Sequence, residues 1–148
     1  MFVLQSALQT LKKYADFKGR ASRHEFWCFF VFVIVANALS GLIGLLLGFG
    51  PMLPALIGLL LIIPQIAVAV RRLHDLGKSG KELAVPCVML ALMPVAFGFR
   101  GILPKIVALG FLGITLLVFA NLLTLFLKKG SSIPNRYGKA PTAFSFAG

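Results

Sequence analysis

Five arginines stand in three short polar segments, and arginine is the side chain best suited to gripping an anion. Arg20 and Arg23 belong to Gly19-Arg20-Ala21-Ser22-Arg23-His24-Glu25-Phe26-Trp27. Arg71 and Arg72 open Arg71-Arg72-Leu73-His74-Asp75-Leu76-Gly77-Lys78-Ser79-Gly80, and Arg136 lies in Asn135-Arg136-Tyr137-Gly138. A planar guanidinium presents a fork of donors that matches phosphate or carboxylate. Arg20, Arg23, Arg71, Arg72 and Arg136 are therefore candidate anion- or headgroup-binding residues, with Glu25, His74 and Asp75 as partners that orient them. A plainer reading stands beside this one. Ser22-x-x-Glu25 is a capping box, and Arg71 and Arg72 complement a helix dipole at a membrane boundary.

Other chemistry finds less support. His74-Asp75 has the composition of a general-base pair, but neighbours on a helix do not face each other. Ser79 is the one nucleophile nearby. No catalytic residue is assigned, and a non-enzymatic protein is expected. Cys28 and Cys87 lack ligand spacing and read as two small buried thiols. No metal and no cofactor is implied.

The elements that must position these residues are set by their solvent. Apolar residues make up 59% of the 148 and charged residues 13%, about half the roughly 25% usual in soluble domains. The formal net charge is +11. In a soluble chain that excess would suggest nucleic acid. Here the cations lie between long apolar runs, so the expected partner is the anionic leaflet of a membrane, and no nucleic acid is expected.

Residues 26–70 carry no charged side chain. That run is more than twice the about 20 residues one crossing needs. Gly48-Phe49-Gly50-Pro51 breaks it, which predicts transmembrane helices over 26–48 and 53–70. Two more are predicted over 83–99, interrupted by Pro86 and Pro94, and 102–127. Gly101 between Arg100 and Lys105 makes that pair a tight hairpin. Gly77 is a plausible C-cap for a second helix that runs a turn beyond the membrane. Gly44 and Gly48 form a GxxxG close-packing signal. Residues 1–17 place Leu4, Leu8, Leu11 and Ala15 at helical spacing, which predicts an amphipathic helix lying in the interface. No cleavable signal peptide is expected.

The expected fold is an all-α integral membrane protein with four transmembrane helices in two antiparallel hairpins, plus an N-terminal interfacial amphipathic helix. It forms a single membrane domain over 1–148. Residues 1–25 form a cytoplasmic amphipathic segment, and 128–148 form a polar, loosely ordered cytoplasmic tail. Thirteen Lys and Arg fall before helix one, between helices two and three, or in the tail, against Arg100 and Lys105 at the second hairpin turn. The positive-inside rule then places both termini and the central loop in the cytoplasm. Ser79-x-x-Glu82 repeats the capping pattern before helix three.

The segments GRASRHEFW (19–27), RRLHDLGKSG (71–80) and NRYGKAP (135–141) occur in this order between apolar runs. In this the chain resembles the bacterial family called domain of unknown function 805, small inner-membrane proteins. The resemblance covers nearly the whole chain and implies a location and a topology. It implies no activity and no catalytic residue. The family usually has tryptophan after the Ser-Gly of the second motif. Lys81 and Glu82 stand there in this sequence, which removes the ground for an aromatic anchor at the start of helix three.

The expected function is an inner-membrane protein whose basic cytoplasmic rim binds anionic lipid headgroups or a protein partner. A homo-oligomer is compatible with this. Two other classes remain: an oligomeric small-solute transporter, with Asn37, Gln65, Thr115, Asn121 and Thr124 in its apolar runs, and a lipid-acting membrane enzyme.

Overall fold

The computed structural model describes residues 2–98 and 101–141. Arg100, one of the two basic residues at the second hairpin turn, and tail residues 142–148 lie outside the described residues. Regular structure among the described residues is helical: α1 (Phe2–Lys12), α2 (Arg23–Leu46), α3 (Met52–Asp75), a 3-10 turn (Gly80–Leu83), α4 (Ala84–Gly98) and α5 (Ile102–Leu127).

Three helices, α2, α3 and α5, are long and apolar enough to cross a membrane. The 24 residues of α2 or α3 span about 36 Å, more than the roughly 30 Å hydrocarbon core. The 15 residues of α4 reach only about 22 Å. The crossing expected over 83–99 is thus divided between a 3-10 turn and a shorter helix, and its last residue lies outside the described ones. The bounds of α5 coincide with the expected 102–127. The outer surface is apolar: Leu45, Leu46 and Ile102 are each about three-quarters exposed (74%, 75% and 74%). That arrangement suits hydrocarbon as solvent.

Local chemistry explains the helix ends. Ser22 caps α2, its Oγ accepting from the Glu25 amide at 3.1 Å. Helix α3 runs five residues beyond the expected 53–70. It stops in a Schellman motif, where Lys78 N–H reaches the Leu73 carbonyl and Gly77 N–H the His74 carbonyl, with Gly77 at φ +74°. At the first hairpin turn the Gly50 amide donates to the Gly44 carbonyl at 2.9 Å. A Cβ on Gly44 would sit 2.5 Å from the Gly50 oxygen. Gly44 of the GxxxG pattern therefore serves a turn within the chain.

Pro64 lies inside α3 and has no N–H, so the Leu60 carbonyl loses its partner four residues on. The Tyr14 hydroxyl donates to that carbonyl. In an apolar solvent an orphaned carbonyl is costly, and this contact ties the N-terminal segment to the middle of α3. The face of α1 turned to the protein carries small side chains. Ser6, Ala7 and Thr10 are buried, while Leu4 and Leu8 are about half exposed (54% and 49%). Small side chains permit close approach to α2, and the leucines are left outward.

Close packing lies within the α2–α3 and α4–α5 pairs, and the 3-10 turn links α3 to α4. The buried apolar core gathers at one end, around Phe26, Phe29, Leu73, Leu83, Leu122 and Phe126. This is also the end where the polar segments meet.

Candidate functional site

At the basic end Asp75 is 2% exposed and receives two arginines. Its Oδ1 accepts from Arg20 Nε at 3.0 Å and Nη2 at 2.8 Å. Its Oδ2 accepts from Arg72 Nη1, one helical turn away on α3. Arg71 points elsewhere, donating from Nη1 to Glu25 Oε1 at 2.9 Å. Its carbonyl accepts from the Ala21 amide at 3.0 Å. Arg71 and Arg72 are 1% and 0% exposed, and Arg20 is 8%.

Three buried cations thus face two carboxylates. The remaining acceptors are backbone carbonyls. Arg72 Nη2 donates to the Phe126 carbonyl at 3.2 Å and to that of Lys128. Arg23 Nη1 donates to the Leu127 carbonyl at 3.2 Å. The last carbonyls of a helix have no partner within it and carry the negative end of its dipole. Two arginines from other helices cap the end of α5.

The tail is drawn into the same knot. Arg20 Nη1 donates to the Ile133 and Gly138 carbonyls at 3.0 and 3.3 Å, and Nη2 to that of Ser131. The Ser131 amide donates to the Asp75 carbonyl at 3.1 Å. Gly130 lies so close that a Cβ there would sit 1.8 Å from Asp75 Oδ2. Residues 130–138 are therefore docked, where the sequence suggested a loose tail. The physical reason is that its carbonyls satisfy buried guanidinium donors.

His74 and Asp75 diverge. The His74 ring stacks on Tyr137 at 3.8 Å with 5° between the planes, and its Nδ1 lies 3.2 Å from the Gly19 carbonyl. Asn135 Nδ2 donates to the His74 carbonyl at 2.9 Å. Arg136 is more exposed; it sits 4.8 Å from the Tyr137 ring centroid and 3.5 Å from the Gly77 carbonyl.

The structure thus brings Arg20, Arg71, Arg72, Glu25 and Asp75 together and directs Arg20 and Arg72 to acceptors of the protein itself. Among the described residues, Arg71 Nε and Nη2 and Arg72 Nε have no hydrogen-bond partner. Arg23 is exposed and borders a shallow cleft of about 360 Å³ with His24, Trp27 and Leu127. Sequence reasoning missed Gly130 and the carbonyls of α5 and the tail. A glycine after Lys128-Lys129 was the available signal. Cys28 is buried as expected, whereas Cys87 is exposed because it borders an open cleft between α4 and the facing hairpin. Among the described residues no group of three or more His, Cys, Asp and Glu gathers that would hold a metal ion.

The profile of a family described as "Protein of unknown function (DUF805)" matches residues 14–139. Inner membrane protein YhaI of Escherichia coli (strain K12) is 34% identical over 140 residues, covering 93% of this chain and 96% of YhaI. Inner membrane protein YhaH of the same strain is 38% identical over 77 residues, covering 49% of this chain and 64% of YhaH. No solved structure matches.

Proposed function

This chain belongs to the DUF805 family of bacterial inner-membrane proteins, and we propose that it is a non-enzymatic member whose basic rim faces the cytoplasm and binds anionic lipid headgroups. The observation that carries this reading is the division among its arginines. Arg20, Arg71 and Arg72 are buried, whereas Arg23, Lys128 and Lys129 are exposed where α2 begins and α5 ends. The start of a helix favours an anion, and each cation near a negatively charged leaflet contributes about 1 kcal/mol. The knot holds this rim in shape, and the headgroup meets the cations outside it.

The same reading includes four crossings, α4 with its preceding turn making the fourth. Contacts among Arg20, Asp75 and Ser131 support it, since they gather the N-terminal segment, the central loop and the tail at one end. Only an even number of crossings returns all three to one face. The alternatives draw less support. Asn37, Thr115 and Thr124 bond to carbonyls of their own helices, and of the five polar residues Gln65 alone borders the space between the hairpins, so no row of polar groups lines it. The divergence of His74 from Asp75 leaves no base pair.

The test is native mass spectrometry of the protein released gently from its own membrane, beside an Arg23→Gln/Lys128→Gln/Lys129→Gln variant. The expected result is phosphatidylglycerol or cardiolipin retained on the wild type and lost from the variant. Equal retention by both would reject the rim as the headgroup site.

A further inference from the structure

The α2–α3 and α4–α5 pairs do not close against each other along their length. Between them lies a cleft of about 470 Å³, bordered by Phe30 on α2, Ile66 on α3, Leu90 on α4 and Phe119 and Leu123 on α5. The volume falls within the 300–1,000 Å³ of ordinary ligand sites. Leu90 and Leu123 are exposed, so the cleft opens sideways to the bilayer. At the basic end it is closed by Phe26 against Phe126, ring centroids 4.4 Å apart.

The cleft adjoins the basic rim on its outer side, where Phe30 of the cleft and Trp27 of the Arg23 site meet edge to face, ring centroids 5.5 Å apart. Phe26 and Phe126 border the cleft, and the residues that follow each, Trp27 and Leu127, border the Arg23 site. A ligand that fills both places has an anionic head and a thin apolar body. We propose that an acyl chain of an anionic phospholipid lies in the cleft between the hairpins while its phosphate meets Arg23. The inference rests on the rim reading and makes it specific: one seated lipid in place of a freely exchanging shell.

Size favours a thin occupant. The cleft reaches from Ile62 to Ala69 on α3, about 10 Å at 1.5 Å per residue. Its mean cross-section is then about 45 Å², against about 80–110 Å² for a helix 10–12 Å wide. An extended hydrocarbon chain fits that section more closely than a helix of a second copy or of another protein.

The experiment uses the full chain in lipid nanodiscs. The probe is phosphatidylglycerol with a photoreactive diazirine in its acyl chain, beside phosphatidylcholine carrying the same chain. Labelled residues are mapped by mass spectrometry. The expected label concentrates on Phe30, Leu90 and Leu123, is several-fold stronger from phosphatidylglycerol, and falls in Ala91→Phe and Leu123→Trp, which fill the cleft. Arg23→Gln lowers it as well. Label spread evenly over Leu39, Leu59 and Leu116 overturns the seat. The rim reading then stands if Arg23→Gln still reduces lipid retention, and falls with the seat if it does not. Equal label from the two lipids overturns the link between cleft and rim. Cross-links between copies at Leu90 assign the cleft to a second chain and overturn the proposal.

Discussion

The helix that begins after Ser22 and the one that begins after Ser79 carry the same four-residue pattern, Ser-x-x-Glu, yet the two starts serve different ends. At the first, Ser22 Oγ accepts from the Glu25 amide, and a 24-residue helix follows. The Glu25 carboxylate does not turn back to Ser22; it meets the buried Arg71 of another helix. At the second, Ser79 Oγ accepts from the Lys81 amide at 3.3 Å, and a four-residue 3-10 turn follows. Glu82 meets Lys78 from the same loop, both side chains more than a third exposed. A capping motif sets the turn in either case. The destination of the glutamate depends on what the rest of the fold brings near. Where that is a buried arginine, the start becomes part of the knot around Asp75. Where it is water, the start remains a local turn.

Five substitutions, Ser79→Ala among them as the reference for Ser22→Ala, test this contrast from the largest effect to the smallest. Asp75→Ala removes the carboxylate shared by Arg20 and Arg72 and leaves both cations buried without a counter-ion. Breaking such a pair costs about 3–5 kcal/mol, and thermal unfolding in detergent should drop accordingly. A loss no larger than that of an exposed pair would show that the knot is worth no more than the second start. Gly130→Ala adds a Cβ 1.8 Å from the Asp75 carboxylate. Overpacking of this kind costs about 1–3 kcal/mol, and the tail should become sensitive to protease near residues 130–138. A tail as resistant as wild type would mean that it does not dock on Asp75. Ser22→Ala removes a helix cap, at about 1 kcal/mol, and should exceed the effect of Ser79→Ala measured in the same melt. Glu82→Ala breaks an exposed pair and should cost no more than about 0.5 kcal/mol after solvent screening. A larger loss would place the second start in a buried network as well.

Much of the helical frame was legible because its signals are local. The bounds of α5 follow from an apolar run, interrupted by Lys105, between Gly101 and Lys128-Lys129. The end of α3 was legible too: charge marked residue 70 as the limit of the crossing and Gly77 as the cap beyond it, and Arg71 to Asp75 continue the helix to that cap because their side chains find partners without leaving it. For α1 the leucine spacing marked an apolar face, and Leu4 and Leu8 on it stay outward while Ser6, Ala7 and Thr10 turn inward. Leucines seek hydrocarbon as readily as a protein core, so in a membrane their periodicity does not say which side is protein.

The candidate site was legible in its members but not in its wiring. Arg20, Arg71, Arg72, Glu25 and Asp75 were singled out by type and position. A guanidinium serves a phosphate, a carboxylate or a carbonyl equally well, so residue type alone does not choose among them.

The sequence by itself determined the solvent, the helical class, the positions of the turn-forming glycines and the clustering of charge, since each follows from composition or from neighbours within a few residues. Only the tertiary structure decided that Arg20 meets Asp75 across 55 residues, that Gly130 must lack a side chain, that Tyr14 satisfies the carbonyl freed by Pro64, and that Arg23 stays outside. Those outcomes depend on which distant groups share a buried place. That is settled by burial and by the cost of leaving a donor or acceptor unpaired, and local sequence records neither.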